Sequence, residues 1–103
     1  IPRKRRLSRA RFEGIRSGNR ASSPSFSVVF GVPGEGGCAV VVAKAVAKRA
    51  VARHLLKRRV FAILKPWSHG DQPFIVYVKK PATTLPFRVL QEELAGLLSR
   101  TLR

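Results

Sequence analysis

From Val46 to Lys65 the chain contains neither glycine nor proline, and Pro66 closes the run. Proline inside a helix removes a backbone donor and clashes with the preceding turn. A helix over about Val46 to Lys65 is therefore allowed, and it must stop there. The segment is also one-sided in charge. No acidic residue lies between Glu35 and Asp71, while Lys44, Lys48, Arg49, Arg53, Lys57, Arg58, Arg59 and Lys65 all do. At about 100° per residue, Arg53, His54, Lys57, Arg58 and Lys65 project to one side. Val51, Ala52, Leu55, Leu56, Ala62 and Ile63 project to the other. One side can pack on a sheet and the other can offer cations. Lys48 and Arg59 fall toward the apolar side, where long basic side chains reach water by snorkelling.

The flanking segments supply the sheet. Ser25 to Val32 alternates, with Phe26, Val28, Phe30 and Val32 on one face, as expected of a half-buried strand. Pro33 to Gly37 is rich in turn residues, and Cys38 to about Ala43 is a second strand, so the pair is expected to form an antiparallel hairpin. Gln72 to Lys79 is a third strand. Ser8 is placed to cap a short helix to about Ser17, with Leu7, Phe12 and Ile15 as its apolar edge and Gly18-Asn19 as its end. A last helix covers about Pro86 to Leu102, with Thr84 as cap and Leu90, Leu94, Leu97 and Leu98 at helical spacing. Glu92 and Glu93 are expected to solubilise it. Phe26, Phe30, Phe61, Phe74 and Phe87 are assigned to the core and Trp67 to a packing lid, whereas Phe12, among arginines, suits either packing or stacking on a base. The expected architecture is an α/β (α+β) two-layer sandwich, a central mixed sheet packed by helices. Residues 1–6 form a basic arm and residues 7–103 a single domain.

Charge narrows the function. In 103 residues there are 21 Lys plus Arg against 5 Asp plus Glu, a formal net charge of +16. Such an imbalance opposes compaction and attracts polyanions, and nucleic acid binds cations with release of its condensed counterions. Enzyme signatures are absent. Gly34-Glu35-Gly36-Gly37 lacks the Lys-Ser/Thr ending of a phosphate-binding loop and is read as a turn. His54 and His69 have no Cys or carboxylate at metal-ligand spacing, so no metal site is expected. The one cysteine, Cys38, excludes an internal disulfide and fits a reducing cytoplasm. No apolar run reaches the roughly 20 residues of a membrane span. RNA binding is the leading expectation, with a ribosomal or other rRNA-binding protein as the alternative.

Val42 to Arg59 resembles the signature segment of the bacterial ribonuclease P protein family. There a strand with basic residues leads into a helix with the pattern Ala-Val-x-Arg-Asn-Arg-x-Lys-Arg. Ala50, Val51, Arg53, Lys57 and Arg58 match it; His54 replaces the Asn and Leu55 the second Arg. Arg6 to Phe12 is similar to the family's opening basic helix, and Phe74 to Ala82 with the following helix is similar to its last strand and helix. The resemblance implies a left-handed βαβ crossover, against the usual rule, in a fold like that of a ribosomal protein domain. It also implies a protein that does not itself cut RNA. The RNA subunit, with magnesium, cleaves precursor tRNA, and the protein binds that RNA and the single-stranded 5′ leader, probing no membrane and acting as a monomer within the ribonucleoprotein. On this basis Arg53, His54, Lys57 and Arg58 are expected to contact the RNA, with Lys44, Lys48, Arg49 and Lys65 extending the surface. Phe12, Arg16, Ser27 and Val29 are expected to line the leader groove.

Overall fold

The computed structural model describes residues 6–15, 18–34 and 36–102. The arm before Arg6, together with Arg16 and Glu35, lies outside the described residues. In chain order the elements are α1 (Arg9–Ile15), β1 (Asn19–Ser22), β2 (Phe26–Phe30), β3 (Cys38–Val41), α2 (Ala50–Leu64), β4 (Phe74–Val78) and α3 (Phe87–Thr101). Single turns of tight helix at Lys65–Trp67 and Lys80–Thr84 follow α2 and β4.

The four strands form one mixed sheet in the order β1-β2-β4-β3. Strands β1 and β2 make the hairpin, pairing Asn19 with Phe30 and Ser22 with Ser27. Strand β4 runs antiparallel to β2 and parallel to β3, so α2 is the crossover between parallel neighbours. This corrects the expected hairpin. Strands β2 and β3 are not neighbours, because β4 lies between them. The loop joining them is a crossing connection, and Gly36 and Gly37 adopt positive φ of 75° and 107° there. A Cβ on Gly36 would collide with the carbonyl oxygen of Gly70, so this loop packs against the loop entering β4. The hairpin that does form uses β1, a strand absent from the sequence reading because Asn-Arg-Ala-Ser carries little β-propensity. Val32 lies beyond β2 and is 83% exposed.

Alternation sorts the sheet into two faces. Phe26 and Val28 of β2, Cys38 and Val40 of β3, and Phe74, Val76 and Val78 of β4 are buried with Leu56, Val60, Ile63 and Leu64 of α2 and Leu90, Leu94, Leu97 and Leu98 of α3. Helix α2 lies over β3, and α3 reaches β1. On the second face Val29 and its partner Ile75 are completely buried. Helix α1 and the residues just before it supply apolar cover at this end: Ile15 sits against Gly31, and Leu7 against Gly37. Ser8 caps α1 as expected, its Oγ accepting from the Arg11 N–H at 3.3 Å.

Four local expectations change. Helix α2 starts at Ala50, not near Val46, since Ala43 to Ala47 forms a separate turn and Arg49 is extended. Helix α3 starts after Pro86, and Thr84 caps nothing; its hydroxyl donates to the Pro81 carbonyl. Phe87 is exposed, not in the core. Glu93 does more than solubilise. Its Oε2 accepts from the Ser25 N–H at 2.7 Å and from the Ser23 hydroxyl, pinning the β1–β2 turn to α3. Lys79 Nζ donates to the Ser23 carbonyl at 2.8 Å from the other side. Burial would raise the Glu93 pKa, but the hydrogen bonds from Ser23 and Ser25 and the Lys79 charge outweigh it and hold the pKa low.

Candidate nucleic-acid interface

The basic residues of α2 and its flanking turns divide into exposed ones and the half-buried Arg53 and Arg59. His54, Lys57, Arg58 and Lys65 are exposed, and Lys44, Lys48 and Arg49 are exposed on the turn leading into the helix. Among the described residues none of these seven is ion-paired. The six lysines and arginines among them therefore make a strip of uncompensated positive charge along α2 and its flanking turns, with His54 in its midst. Arg53 belongs elsewhere. It is half-buried, and its guanidinium donates to the Ala47 carbonyl at 2.9 Å and to the Lys48 carbonyl at 2.7 Å. The arginine in the first turn thus ties down the turn that carries Lys48 and Arg49.

The apolar side of α2 is also rotated from the expected one. Leu56, Val60, Ile63 and Leu64 face the core, whereas Val51 is 80% exposed and Leu55 46% exposed. Val51 and Leu55 lie beside His54 and Arg58 in a shallow outer hollow. Rounding the helix, Arg6, His54, Lys57, Arg58 and Phe61 surround a second concavity of about 500 Å³, with Val40 of β3 as its floor. Arg6 enters this region because the chain before α1 pairs with the free edge of β3: Arg6 bridges Cys38 in parallel, and the Leu7 N–H donates to the Cys38 carbonyl at 2.9 Å. Its guanidinium lies over the Phe61 ring, 4.7 Å from the centroid. Burial pushes the Cys38 thiol up to about 11, so at neutral pH it stays protonated and inert.

On the second sheet face a smaller polar cluster stands beyond the part covered by α1. Arg20 of β1 lies over the Tyr77 ring, 5.4 Å from its centroid, and donates to the Ser27 hydroxyl at 3.3 Å. The Ser22 and Ser27 hydroxyls are 3.3 Å apart. Of the expected groove residues, Phe12 is half-buried on α1 and Ser27 is 4% exposed within this cluster. Val29 is fully buried, and Arg16 lies outside the described residues. Arg20 was not singled out from sequence; its only signal was a basic residue beside a Ser-rich turn. Among the described residues no cluster of metal-ligating side chains occurs, and no helix is long and apolar enough to cross a membrane.

The ribonuclease P family model matches residues 1–102. The chain belongs to the ribonuclease P protein family. Solved ribonuclease P proteins share its fold. The Thermotoga maritima protein is 24% identical, with 95% of this chain and 98% of that one covered and a TM-score of 0.78. A Staphylococcus aureus protein is 20% identical over 93% of each chain, with a TM-score of 0.78. No curated protein sequence gives a significant match. As a ribonuclease P protein, the chain is the protein subunit of the ribonucleoprotein that processes tRNA 5′ ends, and the ribosomal alternative falls away.

Proposed function

We propose that the exposed strip of Lys44, Lys48, Arg49, His54, Lys57, Arg58 and Lys65 docks on the ribonuclease P RNA. In the same reading the polar half of the second sheet face, with Arg20, Ser27 and Tyr77, receives the single-stranded leader of precursor tRNA together with Phe12 of α1. The observation that carries this reading is the unpaired cation strip on a member of this family. Exposed cations without acidic partners are free to contact phosphates, and the gain comes largely from the condensed counterions that the nucleic acid releases. A second sheet face bearing an aromatic ring, an arginine and hydroxyls suits unpaired nucleotides, whose bases stack and whose backbone accepts hydrogen bonds. Cleavage belongs to the RNA and the magnesium it binds; the protein, one copy in a cytoplasmic ribonucleoprotein, supplies affinity and orientation.

The test is reconstitution at low magnesium with the organism's ribonuclease P RNA and a precursor tRNA. Stimulation of accurate 5′ cleavage is expected only with protein and RNA together. Phe12→Ala should weaken precursors with a leader and spare leaderless tRNA. Binding without stimulation, or an equal loss for both substrates, would contradict the reading.

A further inference from the structure

The concavity at the β3 edge shares His54, Lys57 and Arg58 with the strip just described but reaches past them to the sheet edge. It sits between α2 and the free edge of the sheet, and it contains an aromatic ring. Phe61 packs one side against the core and turns the other toward the hollow. Arg6, His54, Lys57 and Arg58 stand around that ring, with no acid between Glu35 and Asp71 to oppose them. A volume of about 500 Å³ lies within the usual range for small-ligand sites and exceeds what a single phosphate needs.

We propose that this hollow captures one unpaired nucleotide of RNA, its base stacked on Phe61 and its phosphates held by Lys57 and Arg58. The proposal rests on the reading of α2 as an RNA surface and adds a subsite to it. Three features favour a nucleotide over a bare phosphate contact. The ring provides a flat apolar platform that phosphate cannot use. Arg58 and Lys57 lie three and four residues before Phe61, so they neighbour the ring on the same side of α2. Stacking on the ring also needs a base whose own face is free, so the hollow suits extruded or single-stranded residues. Arg6 acts as a placeholder. A guanidinium over an exposed ring is held more weakly than a stacked base, so the base displaces it and Arg6 turns to the phosphate. The free chain thereby keeps its ring covered until RNA arrives.

The experiment uses the full chain with labelled phenylalanine and three probes: a six-nucleotide single-stranded RNA, an abasic oligomer with the same phosphate spacing, and inorganic tripolyphosphate. The RNA is expected to shift the Phe61 ring resonances upfield, as a stacked base does, while the other two probes leave them in place. Phe61→Leu retains most of the packing, and it should weaken RNA binding by roughly fivefold or more, the low end for one stacked base, with the abasic oligomer unaffected. Lys57→Ala and Arg58→Ala should weaken both oligomers. If Phe61→Leu binds RNA like the wild type, or if the abasic oligomer moves the ring equally, the stacking subsite is wrong. If the Lys57 and Arg58 variants also bind unchanged, the RNA surface on α2 fails with it.

Discussion

Helices α2 and α3 are each fifteen residues long and touch each other on the same face of the sheet, but their surfaces are organised differently. In α3 the leucines at 90, 94, 97 and 98 are all buried. Its two exposed large apolar side chains, Phe87 and Val89, are confined to the first turn and are each 39% exposed; beyond them the outer side is polar or small, and even Glu93 is used to hold a neighbouring loop. In α2 two large aliphatic side chains, Val51 and Leu55, point to solvent while Leu56 and Val60 point inward. Cations lie on both margins of its buried stripe. One helix has a single packing duty, and its pattern is clean. The other serves two surfaces at once, and its pattern is blurred.

The largest break in the comparison should come from Leu94→Ala. A fully buried leucine reduced to alanine costs about 2–5 kcal/mol, a large share of the stability of a small domain. Urea unfolding should show that loss. An effect under about 1 kcal/mol would mean that α3 is not the clamp it looks to be. Arg53→Ala comes next. Losing two charge-assisted hydrogen bonds to Ala47 and Lys48 should cost about 2 kcal/mol, with Arg53→Lys recovering only part. RNA binding should also fall, because Lys48 and Arg49 lose their support. If Arg53 were only a phosphate ligand, stability would be unchanged and the salt slope alone would drop by about one cation's share.

Glu93→Gln should cost about 1 kcal/mol at neutral pH. The sign with pH follows from its lowered folded-state pKa. The carboxylate contributes stability above the ordinary glutamate range and loses it as pH falls through the lowered value. Wild type and variant should therefore converge in strong acid, and a constant gap across pH would rule out the charged contact. Leu55→Ala should have the smallest effect on folding, within about 0.5 kcal/mol as for other surface positions, and thermal unfolding would check it. A loss comparable to that of Leu94→Ala would erase the contrast between the helices.

The contrast also explains what was legible. The 3.6-residue spacing of α3 and the apolar run of β4 state their elements directly, and alternation marks β2 as a strand, although it is buried on both faces and not half-buried as the pattern implies, since Ser27 and Val29 are covered too. The start of α2 was placed too early because Ala43 to Arg49 has strong helical composition. The long-range use of Arg53 on two backbone carbonyls, invisible in local propensity, accompanies a separate turn there. Strand β1 was missed because its pairing with β2 comes from hairpin geometry and from the Glu93 and Lys79 tethers, not from its own residues. The false β2–β3 hairpin came from assuming that consecutive strands pair. Among site residues, the unopposed cations at 57 and 58 were readable from charge alone. Arg6 over Phe61 and Arg20 over Tyr77 needed the fold, since each pair joins segments far apart in sequence.

The placement of β4 has a consequence for the order in which the molecule can assemble. It is the last strand made and a central one, hydrogen-bonded to β2 on one side and β3 on the other. While a ribosome is still translating α2, the β1–β2 hairpin and β3 have no strand to join them, and α2 has no finished sheet to lie on. Closing two long-range pairings in one event gives a late folding step and leaves apolar strand edges open until residue 78 has emerged. A strongly basic nascent chain thus carries α2 without a finished sheet beneath it, and the cation strip proposed above to dock on RNA takes its final place only once β4 has been made.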